Sequence, residues 1–404
     1  MLEIDEALRL VLDQAWPLGP CRVPLQDALG LVLAETITSD VDSPPHDKSI
    51  VDGYALIAED AAHSSVELKV IEEITAGQVP QHRVVTGSAS RIMTGAPLPD
   101  GADAVVMVEK TELVGTDRVR IQQTGVKHGQ NVMRQAASLA KGRTVLQAGD
   151  TLRAIELGLL AEVGHSSVLV TPRPRVAVLA TGNELVPCEQ TPAAGQIRNS
   201  NGAMLAALVT QAGGEAVDLG IGLDIAEDLR RRCEQGLQCD ALVISGGVSA
   251  GVLDLVPPVL ESLGVERVFH KVNLKPGKPL WFGVKHSAHG RNSLVFGLPG
   301  NPVSSLVCFE LFVRPALARL SGRESGGLER VTARLADEFY HHGDRVAMFP
   351  VALRRERQEI IATPLRWHGS GDLRTLTEAQ GLIHFPAGEK HYAAGDEVSV
   401  LLFS

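Results

Sequence analysis

Ile4, Leu8, Val11, Leu12 and Ala15 recur at three- and four-residue spacing, which predicts an amphipathic helix ending before Pro17. A second short helix is expected over 26–34. After the turn-rich stretch 42–46, short apolar runs at 67–74, 90–93 and 104–109 are broken by Gly and Pro. They read as strands of a β-rich insertion reaching about residue 145. A helical pattern returns at 154–163. Beyond Pro172 and Pro174 the period changes again, with strands at 175–180, 216–219 and 241–245 alternating with helices at 201–212 and 225–237. Strands at 268–272, 280–284 and 294–297 and a helix at 303–320 complete this region. Such alternation predicts βαβ units and a mainly parallel sheet covered on both faces. A polar linker at 321–327 precedes strand-like segments at 345–355 and 397–402.

The pattern predicts a multidomain α/β plus β chain. Residues 1–45 and 146–172 form an N-terminal helical linker domain and 46–145 the insertion. Residues 173–322 form a doubly wound α/β domain, and 328–404 a small β-barrel-like domain. A length of 404 residues fits this division at roughly 150 per domain, and the 44% hydrophobic content supplies the cores.

Net charge sharpens the picture. A formal charge of −10 argues against a nucleic-acid or anionic-membrane binder. Yet the 43 residues 267–309 hold six Lys or Arg and no Asp or Glu, which suggests a local site for a small anion. Five scattered cysteines lack C-x2-C spacing, and Glu3, Asp5, Glu6 and Asp13 stand where a signal peptide would be apolar. Reduced thiols and a cytoplasmic location are expected. The longest uncharged stretch, 292–309, contains Pro299, Gly300, Asn301 and Pro302, which argue against a membrane span.

In an open α/β sheet, ligands collect at the carboxyl ends of the strands. Three expected strand ends carry polar, Gly-containing turns: Ala180 to Leu185, with Thr181 and Gly182; Ser245 to Gly251, with Gly246, Gly247 and Ser249; and Gly297 to Pro302. Their backbone N–H groups suit an anion; one such turn alone is more often just a tight βα connection, and three in one sheet strengthen the anion reading. Lys275 and Lys278 lie in a Lys-Pro-Gly-Lys-Pro loop, where Pro and Gly restrict their directions. They suit an oxyanion, or are solvated loop lysines. Glu184, Asp224 and Asp254 fall near helix starts, as capping residues or as oxygen ligands for magnesium beside substrate phosphates. Asp52 and Thr94 occupy ordinary turns by local chemistry, and the adjacent His341 and His342 are expected to be solvated.

Six motifs in order give these residues a context: Asp-Gly-Tyr-Ala from Asp52, Arg-Ile-Met-Thr-Gly-Ala-Pro from Arg91, Thr-Gly-Asn-Glu-Leu from Thr181, Ser-Gly-Gly-Val-Ser-x-Gly-x-x-Asp from Ser245, Lys-Pro-Gly-Lys-Pro from Lys275, and Gly-Leu-Pro-Gly-Asn-Pro-Val-Ser from Gly297. Together they resemble the MoeA family of molybdopterin molybdenumtransferases, to which the C-terminal part of gephyrin also belongs. The resemblance covers essentially the whole chain. It implies four-domain subunits with a MogA-like α/β domain, and a homodimer whose active site faces parts of the partner subunit. The implied reaction is magnesium-dependent insertion of molybdenum from molybdate into adenylylated molybdopterin, with release of AMP. A MogA-like adenylyltransferase and molybdoenzyme apoproteins are the implied partners. Asp52, Thr94, Glu184, Asp224, Asp254, Lys275 and Lys278 become candidate catalytic residues, with Glu184, Asp224 and Asp254 also the metal set. Thr181, Gly182, Ser245, Gly246, Gly247, Ser249, Gly251, Pro299, Gly300, Asn301, Pro302 and Ser370 become candidate substrate contacts.

The chain departs from the family pattern at two informative places. Ser138 stands where the insertion motif usually carries Asp, and Pro350 where many members carry Arg. These departures keep open a paralogue with altered oxyanion use, alongside a MogA-like molybdopterin adenylyltransferase and a gephyrin-like scaffold. Molybdate and tungstate have equal charge and nearly equal size, so the choice between them is not legible in the sequence.

Overall fold

The computed structural model describes residues 1–248, 254–287, 292–324 and 326–403. The first apolar stripe forms α1 (Ile4–Gln14), with Ala7 and Val11 buried. These side chains share a core with Val176, Leu205, Val303 and Leu317, so α1 is fastened to the α/β body rather than to its neighbours in sequence. The strands Cys21–Pro24, Ser167–Thr171 and Val32–Leu33 make a three-stranded antiparallel sheet. With α2 (Ala154–Glu162) they enclose a core containing Ala28, Leu33, Leu160 and Val168. The helix expected over 26–34 is instead a 3-10 turn, Leu25–Asp27, followed by the strand Val32–Leu33. Gly30, at φ +76°, turns the chain out of a helical path. Pairing with Val170 and Thr171 then supplies the backbone partners that a helix would have found internally.

The insertion is a six-stranded sheet containing Gly53–Leu56, Val66–Ile74, Ser88–Ile92 and Ala104–Met107. Its aliphatic core includes Leu56, Leu68, Val106 and Ile121. In the loop holding Ser138, Ala136 adopts φ +59°, a left-handed conformation that disfavours any side chain. Ala136→Gly is expected to stabilise the protein by about 0.5–1 kcal/mol, the relief of strain outweighing the added freedom of the unfolded chain. A raised denaturation midpoint checks this; an unchanged or lowered one contradicts it.

The α/β body is built on β1 (Arg175–Thr181), β2 (Glu215–Gly222), β3 (Ala241–Ser245), β4 (Glu266–His270), β5 (Leu274–Lys275), β6 (Trp281–Lys285) and β7 (Ser293–Leu298). Its sheet runs β2-β1-β3-β7-β6-β4, while β5 leaves it. The first four of these strands are parallel; β6 and β4 add an antiparallel edge. Val176, Val178, Ala241 and Val243 face one core with α3 (Ser200–Gln211). The alternate residues Ala177, Leu179, Leu242 and Ile244 face a second core with α4 (Ala226–Gly236) and α5 (Val256–Ser262). This two-residue alternation of buried side chains makes the sheet doubly wound. The last helix begins as α6 (Pro302–Cys308) and passes through a π-helical turn, Phe309–Val313, into α7 (Arg314–Leu320).

In the C-terminal body, β8 (Val346–Glu356) pairs with both Glu359–Pro364 and Gly381–Phe385. With Arg330–Leu335 and Glu397–Leu402 this closes a small barrel around Val351, Ile383, Phe385 and Val400. β5 joins the barrel by parallel pairing to β8, Leu274 opposite Val346 and Lys275 opposite Ala347. Among the described residues no helix is long and apolar enough to cross a membrane.

Candidate functional site

Strand register sets the site. Ala180 lies beside Ser245, and Ser245 beside Leu298, so the turns after β1, β3 and β7 leave the sheet at one level. They are laced together: Gly246 N–H donates to Leu298 O at 3.1 Å, and the Thr181 hydroxyl reaches Ser245 O at 3.5 Å. Gly246 (φ +97°) and Gly247 (φ +65°) both require glycine. A Cβ on Gly246 would lie 2.5 Å from Thr181 O, which leaves no room for another residue.

These turns line a cavity of about 440 Å³. Most of the residues expected to bind substrate meet there: Thr181, Gly182, Ser245, Gly246, Gly247 and the run from Pro299 to Pro302. Ser249 and Gly251 lie outside the described residues. A cavity of about 630 Å³ occupies the opposite end of the sheet, lined by Glu234, Lys285, His286 and Ser293. Volume alone therefore does not choose between them; the convergence of Gly-rich turns and carboxylates makes the smaller cavity the candidate.

Glu184, Asp224 and Asp254 also line the smaller cavity. Asn183 N–H donates to an Asp224 carboxylate oxygen at 3.3 Å, while Asp224 N–H donates to the Asn183 amide oxygen at 3.1 Å. This reciprocal pair ties the turn after β1 to the turn after β2. The carboxylate of Glu184 lies over Gly182, 2.5 Å from where a Cβ would stand. Among the described residues, no three His, Cys, Asp or Glu side chains gather closely enough to hold a metal by themselves. Single oxygen donors at the edge of a phosphate-sized cavity suit magnesium shared with substrate phosphates, and do not suit a metal held in an all-protein cage.

Lys275 and Lys278 are exposed on the adjoining loop, and Pro279 carries that loop to the cavity wall. The loop is seated from below and from the side. The buried Cys308 thiol donates to Gly277 O at 3.5 Å, and Arg345 donates to Leu274 O at 3.4 Å. Burial pushes the Cys308 thiol far up, so it serves as packing rather than as a nucleophile. The C-terminal body touches the site a second time where Val303 N–H, in the first turn of α6, donates to Ser370 O at 3.0 Å.

Asp52 and Thr94 do not appear among the described residues lining this cavity. They pair with each other in the insertion, Asp52 accepting from both the backbone N–H and the hydroxyl of Thr94 at 2.7 Å. Those two bonds hold the Asp52 carboxyl below its ordinary range.

The two histidines differ, which corrects the expectation that both are solvated. His342 is exposed beside Glu389, whereas strand alternation turns His341 inward onto the ring of Phe385. Burial, reinforced by repulsion from Lys275, lowers the His341 pKa from 6.5. The folded protein then binds fewer protons than the unfolded chain, so this contribution to stability is intact above pH 6.5 and is lost as pH falls through the folded pKa. His341→Phe keeps the stacked ring and is expected to make the fall in melting temperature between about pH 7 and 5 shallower. An unchanged slope would remove His341 as its source.

Sequence reasoning missed Asn201 and Arg198, which line the cavity, and the supports Ser305, Cys308 and Arg345. Asn201 had a legible signal: a polar residue just inside a helix whose cap, Asn199, already satisfies Gly202 N–H.

Comparison with known proteins places the chain in one family over most of its length. Residues 2–164 match the model for the MoeA N-terminal region (domain I and II), 177–319 the model for a probable molybdopterin binding domain, and 332–403 the model for the MoeA C-terminal region (domain IV). A molybdopterin molybdenumtransferase of Nostoc sp. is 37% identical over 94% of this chain and 88% of its own length. A protein of that name from Bacillus subtilis is 33% identical over 99% of this chain and 94% of its own length. The crystal structure of a molybdopterin biosynthesis MoeA protein from Pyrococcus horikoshii covers all of this chain and 99% of its own, at 35% identity and a TM-score of 0.85.

Proposed function

The chain belongs to the MoeA family of molybdenum cofactor biosynthesis, and from that premise we propose that its α/β cavity inserts molybdenum from molybdate into adenylylated molybdopterin, releasing AMP. The observation that carries this reading is the meeting of three Gly-rich turns and three carboxylates in one cavity beside an acid-free lysine loop.

Each part has a distinct task. Backbone N–H groups of the turns at Gly246 and Gly300 hold phosphate oxygens without a side chain between them. Lys275 and Lys278 hold molybdate by charge, on a loop whose backbone is fixed by β8 and Cys308. Glu184, Asp224 and Asp254 would hold magnesium beside the substrate phosphates, where it would supply neutralisation of their charge. Ser370 presents the C-terminal body to the first turn of α6 and contacts substrate there. Asp52 and Thr94 belong to the insertion, and the reading places them at the cavity of a second subunit in a homodimer.

The test is reconstitution from purified components. Protein, adenylylated molybdopterin, molybdate and magnesium together should yield cofactor that activates a molybdoenzyme apoprotein, and leaving out any one should abolish activation. Transfer of AMP from ATP onto molybdopterin, with no use of molybdate, would replace this reading with an adenylyltransferase.

A further inference from the structure

At the wall of the cavity Asn201, which has no role in the reading above, joins Ser245 and Ser305 in a polar cluster. The carboxamide of Asn201, near the start of α3, donates to the Ser245 hydroxyl at 2.6 Å and to Gly300 O at 2.7 Å. The Ser245 hydroxyl stands 3.4 Å from the Ser305 hydroxyl and 3.5 Å from Pro299 O, to which Ser305 also donates. Asn201 is 8% exposed, Ser245 2% and Ser305 0%. Among the described residues the buried Asn201 amide oxygen has no hydrogen-bond partner, and the two donated bonds set the orientation of the group.

We propose that Asn201 is a positioning residue that fixes the separation of the Ser245–Gly247 turn and the Pro299–Pro302 turn, and through it the affinity for the molybdopterin substrate. The inference rests on the functional reading of this cavity. Its logic is geometric. A Cβ on Gly300 would stand 3.7 Å from Gly246 Cα, so the two turns are in contact and converge on one anion only at the present spacing. Three elements, α3, β3 and the β7–α6 turn, meet at one amide in a water-poor interior, where an unmade bond is costly. Lys275 and Lys278 lie on a different loop, held by the pairing of β5 with β8 and by Arg345 as well as by Cys308, one turn beyond Ser305 on α6. The cluster therefore acts mainly on pterin-substrate binding, and molybdate binding keeps the supports outside α6.

Asn201→Asp preserves shape but places an oxygen where the amide donates to Gly300 O. Titrating the whole protein with molybdopterin, followed by fluorescence quenching, should show a Kd raised about tenfold or more, and about threefold for Ser305→Ala. The KM for molybdate should stay within about twofold, since the lysine loop is untouched. General destabilisation would instead lower the active fraction and leave both constants unchanged. Molybdopterin Kd values within twofold of wild type in both variants, or weakening fully explained by loss of folded protein, overturn the proposal. If Asn201→Asp does not fold, Ser305→Ala decides by the same criterion. If wild type binds molybdopterin but inserts no molybdenum, the functional reading fails and the binding comparison still judges Asn201.

Discussion

Lys275→Ala is expected to slow molybdenum insertion by about 100-fold or more, the scale seen when a fixed donor to a developing or transferred oxyanion is removed. The size of the effect follows from how the residue is held. Its backbone pairs with β8, the preceding carbonyl accepts from Arg345, and the following Gly277 rests on Cys308. The restrained backbone leaves only the exposed side chain to be ordered around the anion. The loss should appear as a raised KM for molybdate together with a lower kcat, while molybdopterin still binds. Because Lys275 is exposed, folding stability should change by no more than about 0.5 kcal/mol. Insertion within twofold of the wild-type rate would remove the lysine loop from the oxyanion site.

A second large effect is expected from Gly246→Ala. The residue sits at φ +97°, and its Cβ would lie 2.5 Å from the Thr181 carbonyl oxygen and 3.0 Å from its hydroxyl oxygen. The carbonyl is backbone of a central strand, so the turn must move instead. That movement breaks the bond from Gly246 N–H to Leu298 O and separates the turns that the cavity needs together. Strain of this kind costs about 1–3 kcal/mol, and molybdopterin binding should weaken more than tenfold in protein that still folds. Gly158→Ala is the control. Gly158 lies within α2 with nothing near its would-be Cβ, and alanine there should stabilise by about 0.5–1 kcal/mol without touching binding. Unfolding curves and a molybdopterin titration separate the two. Equal behaviour of the variants would contradict the steric argument.

Where these effects fall reflects what a sequence carries. The strands at β1 and β3 were legible because their side chains alternate between two cores, and the turns after them because glycine at those places answers a local demand of the backbone. The helix over 26–34 was misread because the strand Val32–Leu33 takes its partners from Val170 and Thr171, far along the chain. Distance hid the role of Cys308 in the same way, since a buried thiol under Gly277 shows no motif. His341 looked solvated because its burial depends on Phe385, which folds onto it from another strand. The carboxylates Glu184, Asp224 and Asp254 were found from position, just after strand ends. The lysine loop was found from charge, as the one long acid-free stretch that also contains a strand-end turn. Asp52 and Thr94 carried no such local signal and were singled out by family resemblance alone.

The departures at Ser138 and Pro350 have definite places in the fold. Ser138 is exposed in the insertion, its N–H donating to Ser43 O, and supplies no carboxylate where the family usually has one. Pro350 accepts from Leu365 N–H within the barrel. Arg345, two residues before Ala347 and five before Pro350, donates to Leu274 O at the base of the lysine loop.

The most direct test is to count products in a single turnover. Wild-type protein, loaded with adenylylated molybdopterin and given molybdate and magnesium, should release AMP in step with molybdenum bound to the dithiolene, one for one, and the Lys275→Ala protein should do neither at a comparable rate. AMP released by wild type at the same rate without molybdate, or no AMP released with it, would contradict the account.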